Sequence, residues 1–233
     1  MEYPLVSCIV PVFNGARYLR DALDSIFAQT YRPLEIIVAD DGSTDNTTAV
    51  VASYGHRVRY LRQRNQGPAA ARNLGIRTAT GEFVAFLDAD DLWHPDKLKR
   101  QLARFHARPE LGYCVTYVQN FWAQELQAES ERYQGHRISR PLPGYVTQTL
   151  LARRVLFERI GFFEPALRHG DGTEWFLRVA RQNTEMELLP DVLTFRRLHA
   201  ANQSRLLASD SRDEFLRIVK MSLDHRRSPK GAG

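Results

Sequence analysis

The first hundred residues alternate between short apolar runs and stretches with apolar residues at helical spacing. Leu5–Val12 (LVSCIVPV), Leu34–Ala39 (LEIIVA) and Glu82–Leu87 (EFVAFL) read as buried strands, with Val58–Leu61 a shorter fourth. Between them Leu19, Leu23, Ile26 and Phe27 recur at helical spacing, which predicts an amphipathic helix over Ala16–Gln29. Thr44 or Asp45 is expected to cap a second helix reaching about Tyr54. Ala69–Thr78 predicts a third, ended by Gly81. Pro95 suits the first turn of a fourth, which runs to about His106. Strands alternating with helices imply an α/β domain built on a mostly parallel sheet with right-handed crossovers.

The pattern weakens after Gly112. Residues 124–144 are polar and hold Gly135, Pro141, Pro143 and Gly144, so a mobile loop or an excursion is expected there. Helices are expected over Arg153–Arg159 and Thr173–Arg181, and a strand over Val192–Leu198. An amphipathic helix over Asp210–Leu223 carries Phe215, Ile218, Val219 and Met221 on one side. Residues 1–204 are read as one domain, with a nucleotide-binding half (1–110) and an acceptor and catalytic half (111–204), and 205–233 as a basic helix and tail.

Composition narrows the setting. With 233 residues, 43% hydrophobic and 25% charged, the chain has the make-up of a single globular core. No run approaches the roughly 20 apolar residues that span a bilayer. The start lacks the basic and apolar regions of a signal peptide. Only Cys8 and Cys114 occur, both inside apolar runs, so buried free thiols and a cytoplasmic location are expected. The net charge of +5 resides in the segment from Arg196 onward, where nine Lys/Arg face four Asp/Glu. A nucleic-acid binder would carry its basic excess on the folded domain, so no nucleic acid is expected. A basic terminal segment fits peripheral contact with an anionic membrane face, and equally a solvated end.

The chemistry gathers at strand ends. Pro11-Val12-Phe13-Asn14-Gly15, Asp40-Asp41-Gly42-Ser43 and Asp88-Ala89-Asp90-Asp91 each follow a predicted strand. Ligands of open α/β sheets bind outside the carboxyl ends of the strands, so parallel strands would bring these clusters to one edge. That much negative charge calls for a cation, and Mg²⁺ or Mn²⁺ favours carboxylate oxygens and shares substrate phosphates. Residues two apart at a strand end point the same way, so Asp88 and Asp90 can face one ion, or an ion and a ribose. Taken singly, the clusters are also explained as a helix cap and an exposed turn. Asn65-Gln66-Gly67-Pro68-Ala69-Ala70-Ala71-Arg72-Asn73 adds a glycine turn, a small-residue helix and, in Arg72, a cationic fork suited to phosphate. The alternative is an Ala-rich core helix with Arg72 on its surface.

Together, Val10–Asn14, Ala39–Asp45, Asn65–Gly67 with Ala71–Asn73, and Phe86–Asp91 resemble the family 2 glycosyltransferases of the GT-A fold, over about residues 4–204. The resemblance implies an inverting transfer from a nucleotide-sugar donor, a UDP-sugar first, to an acceptor hydroxyl that no motif identifies. It implies that Pro11, Phe13 and Asn14 line the base pocket, that Asp41 reads the base edge, and that Arg72 contacts the nucleotide. Asp88 would lie toward the ribose, and Asp90 would hold Mn²⁺ or Mg²⁺ at the diphosphate. His199, in Arg197–Ser204, matches a histidine that approaches the metal, although a lone His is more often structural.

One departure concerns the base. Where the family carries Glu-Asp, this chain has Asp171-Gly172, ahead of Thr173-Glu174-Trp175-Phe176-Leu177-Arg178. The acceptor hydroxyl loses a proton as it attacks, so a carboxylate must stand there. Asp171 is preferred and Glu174 is the alternative, although an acid at that point also suits the helix dipole. Three readings follow: an active transferase in surface-glycan or natural-product assembly, a nucleotide-sugar-binding relative without turnover, or an adaptor acting through the basic tail.

Overall fold

The computed structural model describes residues 3–202, 205 and 212–220. Its strands are β1 (Val6–Val12), β2 (Leu34–Asp40), β3 (Arg59–Arg62), β4 (Phe83–Phe86), β5 (Leu92–Trp93), β6 (Tyr113–Trp122), β7 (Leu142–Pro143), β8 (Leu151–Arg153) and β9 (Met186–Leu198). They form one sheet in the order β3-β2-β1-β4-β8-β6-β9-β5, with β7 paired to β6. The four strands from β3 to β4 are parallel, as is the long β6–β9 ladder, while β8 runs antiparallel to β4 and β6.

Both faces of the sheet are covered, which explains the unbroken apolar runs of β1, β2 and β4. On one face Cys8, Val10, Val38 and Ala85 pack with Leu19, Leu23 and Ile26 of α1 (Leu19–Phe27), Val51 of α2 (Thr47–Ala52), and Leu98 and Phe105 of α4 (Lys97–Ala107). On the other, Ile9, Ile37, Val84 and Phe86 meet Ile76 of α3 (Pro68–Thr78), Phe157 of α6 (Val155–Ile160) and Trp175 of α7 (Asp171–Arg181). Alternate residues of each strand therefore enter different cores. Cys8 and Cys114 are buried and free, and burial pushes both thiols up to about 12.

Several elements differ from expectation. The strand β6 follows Gly112, where the sequence pattern fades, because its second half is only half-buried and carries Gln119 and Asn120. The final strand begins at Met186, not Val192, and its ladder with β6 is irregular opposite Thr116–Val118, where β9 carries Pro190 and Asp191. Proline cannot donate to a ladder and is tolerated at such an irregularity. Residues 124–144 form short helical turns, among them α5 (Gln127–Arg132), before β7, where a loop is expected. Neither Thr44 nor Asp45 is the N-cap of α2: the helix starts after Asn46, and Asp45 instead accepts from the Thr47 N–H (3.0 Å) and the Ala16 N–H (3.0 Å). The expected terminal helix is described over 212–220, and the rest of Asp210–Leu223 lies outside the described residues.

Candidate active site

The parallel register pairs Val12 with Asp40 and Ile9 with Phe86, so the segments after β1, β2 and β4 emerge along one sheet edge. With the start of α3, residues 145–148, the start of α7 and the end of β9 they enclose a cleft of about 730 Å³. Pro11, Phe13, Asn14, Asp41, Arg72, Asp88, Asp90, Asp171 and His199 all line it.

The β1 and β2 ends are tied together by backbone polar groups. Asn14 has φ of +51°, a left-handed conformation that asparagine tolerates better than most residues. Its Oδ1 accepts from the N–H groups of Thr44 (2.8 Å) and Asp45 (3.3 Å), and its own N–H donates to Ser43 Oγ (2.9 Å). Asn14 thus fixes the rim and leaves Phe13, 43% exposed, facing solvent. Asp41 is buried and accepts from Gln63 Nε2 (2.7 Å), the Gln66 N–H (2.9 Å) and the Gly67 N–H (2.7 Å). Its carboxylate sets the glycine turn that opens α3.

Arg72 is the cation at the centre. It is not on the surface of an Ala-rich helix: it is 7% exposed, with Nη1 donating to Asp171 Oδ2 (2.6 Å) and Nη2 to Asp88 Oδ1 (2.9 Å). Burial alone would lower its pKa, but the Asp171 and Asp88 charges override it and hold the guanidinium above its ordinary value. Its Nε is buried without a partner. Burial pushes the Asp88 carboxyl above its usual range, Arg72 draws it back, and the Asp90 charge adds to the rise. Burial, then the Asp90 and Asp88 charges, push Asp91 well above that range, although it accepts from the Arg197 N–H (2.9 Å) and Gln148 Nε2 (3.0 Å).

Asp90 and His199 meet across the cleft, with Nε2 at 2.9 Å from Asp90 Oδ2, and Asn202 Nδ2 donates to the same oxygen at 3.1 Å. His199 Nδ1 is buried without a partner. Among the described residues no group of three or more His, Cys, Asp or Glu forms a complete cation cage. A carboxylate and an imidazole Nε2 that meet at the wall of an open cleft do fit a Mn²⁺- or Mg²⁺-type ion that takes its other ligands from phosphate and water.

Glu174 stands apart. Both its oxygens bind Arg178, at 3.0 Å to Nε and 2.8 Å to Nη2, and it does not line the cleft. Arg178 in turn donates to the Ile160 and Phe162 carbonyls, so this pair fastens α7 to the turn after α6. Sequence reasoning missed Asn202 and Arg197. Arg197 packs over the Tyr18 (4.4 Å) and Phe121 (4.9 Å) rings and donates from Nε to the Asp90 carbonyl (2.9 Å), bracing the Asp88–Asp91 turn. The resemblance covered Arg197–Ser204 but gave neither residue a role. Arg168 and His169 also line the cleft.

Solved structures share this fold. S. aureus TarS in complex with UDP superposes with a TM-score of 0.71 at 19% identity, over 97% of this chain and 67% of that one. The mannosyltransferase PcManGT from Pyrobaculum calidifontis, in complex with GDP-Man and Mn²⁺, gives 0.71 at 23% identity, over 100% of this chain and 67% of that one. The architecture is therefore that of the GT-A glycosyltransferases. Residues 7–170 match the family described as Glycosyl transferase family 2, and the chain belongs to it. An uncharacterized glycosyltransferase of Rickettsia typhi is 36% identical over 199 residues, which are 80% of this chain and 63% of that protein. The chain thus spans less than two thirds of that relative.

Proposed function

We propose that this chain is an inverting, metal-dependent glycosyltransferase that moves a sugar from a nucleotide-diphosphate donor, a UDP-sugar first, to an acceptor hydroxyl. What carries the proposal is the meeting of Asp41, Arg72, Asp88, Asp90, Asp171 and His199 in one cleft at the carboxyl ends of the parallel strands. The UDP and the GDP-Man with Mn²⁺ named in the two neighbouring structures support this donor class.

Each residue has a part that its surroundings allow. Phe13 offers an exposed ring for stacking on the base at the rim, and Asp41 holds the backbone that frames it. Asp88, bonded to Arg72 through Oδ1, lines the cleft, where it can accept from a ribose hydroxyl. Asp90 and His199 would hold Mn²⁺ or Mg²⁺, whose charge offsets the diphosphate leaving group. Arg72 adds a fixed cation in the same cleft. Asp171, lining the cleft with Oδ2 held by Arg72, takes the proton of the attacking hydroxyl. Glu174 has no part in this step, because Arg178 holds it. A Cβ at Gly172 would lie 3.0 Å from Thr147 Cγ2, a tight contact that needs Thr147 to give by a few tenths of an ångström, and with glycine there Asp171 is the acid of this segment that lines the cleft.

The acceptor is a hydroxyl-bearing molecule, in surface-glycan or natural-product assembly. Peripheral contact with an anionic membrane is proposed for the basic end: Phe215 and Leu216 are exposed beside Arg212, Arg217 and Lys220. Among the described residues no helix is long and apolar enough to cross a membrane. The test is a screen of nucleotide sugars for metal-dependent hydrolysis by the purified protein. Failure of every donor while nucleotide still binds would favour the relative without turnover.

A further inference from the structure

The helix that begins α7 with Asp171 has no cap of its own. Its N-cap is Gly170, which makes no side-chain cap bond, yet the N–H groups at a helix start need partners and carry partial positive charge. Another helix supplies an acceptor for the Gly170 N–H and for the two amides that lead into it. In residues 212–220, Glu214 and Ile218 are four apart and share one face. Glu214 Oε1 accepts from the Arg168 N–H (2.9 Å), and Oε2 from the N–H groups of His169 (2.6 Å) and Gly170 (3.0 Å). Ile218, 2% exposed, seats against Gly170, where a Cβ would come within 2.2 Å of Ile218 Cδ1. The glycine that cannot cap the helix is thus what lets the capping helix approach.

We infer that Glu214 is a positioning residue: one carboxylate gathers three consecutive amides and fixes the Arg168–Asp171 wall of the cleft. Through that wall it sets Asp171 against Arg72 and aims Arg168 and His169 at the sugar end of the donor. The residue touches neither substrate nor metal; it acts through the backbone. Its catalytic consequence rests on the function proposed above, whereas its hold on the amides does not.

The test uses the full chain with Glu214→Ala, Glu214→Gln and, as a packing control, Ile218→Ala. Amide hydrogen exchange is read over residues 168–171, nucleotide-diphosphate affinity by titration with UDP or GDP plus Mn²⁺, and donor hydrolysis as kcat and KM. In Glu214→Ala these amides should exchange about tenfold faster or more, as expected for lost charge-assisted bonds at a local opening. Nucleotide-diphosphate affinity should stay within about threefold, because Phe13, Asp41 and the Asp90–His199 pair lie outside that wall, while kcat falls about 10- to 100-fold from misplacement of the wall. Glu214→Gln keeps the shape and one acceptor oxygen, and should restore part of the rate. A merely structural role would lower thermal stability and nucleotide affinity together, with kcat of the folded fraction intact, and would overturn the positioning role. Unchanged exchange at 168–170 would overturn the inference whatever the activity. If the wild-type protein turns over no donor, the transferase proposal fails, and the exchange data still decide whether Glu214 holds the wall.

Discussion

Replacing Arg72 with methionine tests how far this site depends on one buried cation. The guanidinium side chain is 8% exposed and is shared by Asp171, 7% exposed, and Asp88, 29% exposed. Methionine fills much of the volume but leaves Asp171 buried without its counter-charge, while Asp88 retains more contact with water. Breaking a buried pair from one side costs about 3–5 kcal/mol. For a chain of this length each kcal/mol moves Tm by about 2–4 °C, so Arg72→Met is expected to lower Tm by about 6–20 °C. Changing Asp171 to Asn in the same chain removes the stranded charge, and the double variant should be more stable than Arg72→Met alone. Urea unfolding followed by circular dichroism on wild type, both single variants and the double variant closes the cycle. Additivity within about 0.5 kcal/mol, or an Arg72→Met Tm within about 2 °C of wild type, would refute a buried ion pair at the centre of the site.

Other outcomes follow from the same structure. Lys97 is fully buried, bonds Gln101 Oε1 at 2.9 Å and lies 4.3 Å from the Trp93 ring centroid, and burial holds its ammonium down to about 7. The unfolded chain therefore binds the extra proton between about pH 7 and pH 10.5, so this group makes stability rise with pH across that window. Lys97→Met should flatten that rise, as read from Tm at pH 7 and at about pH 9.5; an unchanged slope would contradict the buried, neutralised lysine. Asp171→Asn should lower donor turnover by about 10²–10⁴-fold, the range of a lost general base. Glu174→Gln should keep kcat within about threefold and lower Tm by a few degrees, since Arg178 loses its charged partner.

The strand-end clusters were legible because β1, β2 and β4 are covered on both faces, which makes their sequences continuous apolar runs ending abruptly in polar residues. The two-residue spacing of Asp88 and Asp90 likewise placed both on the cleft side. The second half of the sheet was harder to read: β6 is covered unevenly, so neither strict alternation nor a full apolar run marks it. Glu174 has two readings in the sequence, because an acid in a first turn fits a catalytic position and a helix pair alike. Its spacing to Arg178 was the available sign of the second. Asn202, Arg197 and Glu214 act on backbone groups or turns more than 40 residues away in sequence. No local pattern records such contacts.

The most direct test of the central claim is the thermal shift given by UDP and by GDP, with and without Mn²⁺ or Mg²⁺, in wild type and in Asp90→Asn. At about 100 times Kd a ligand that binds only the folded state adds about 2.7 kcal/mol, or about 5–11 °C for this chain. Wild type should show that rise with at least one nucleotide only when the cation is present, and Asp90→Asn should lose it. An equal rise without cation, or one that survives Asp90→Asn, would contradict a carboxylate-held metal gripping the diphosphate.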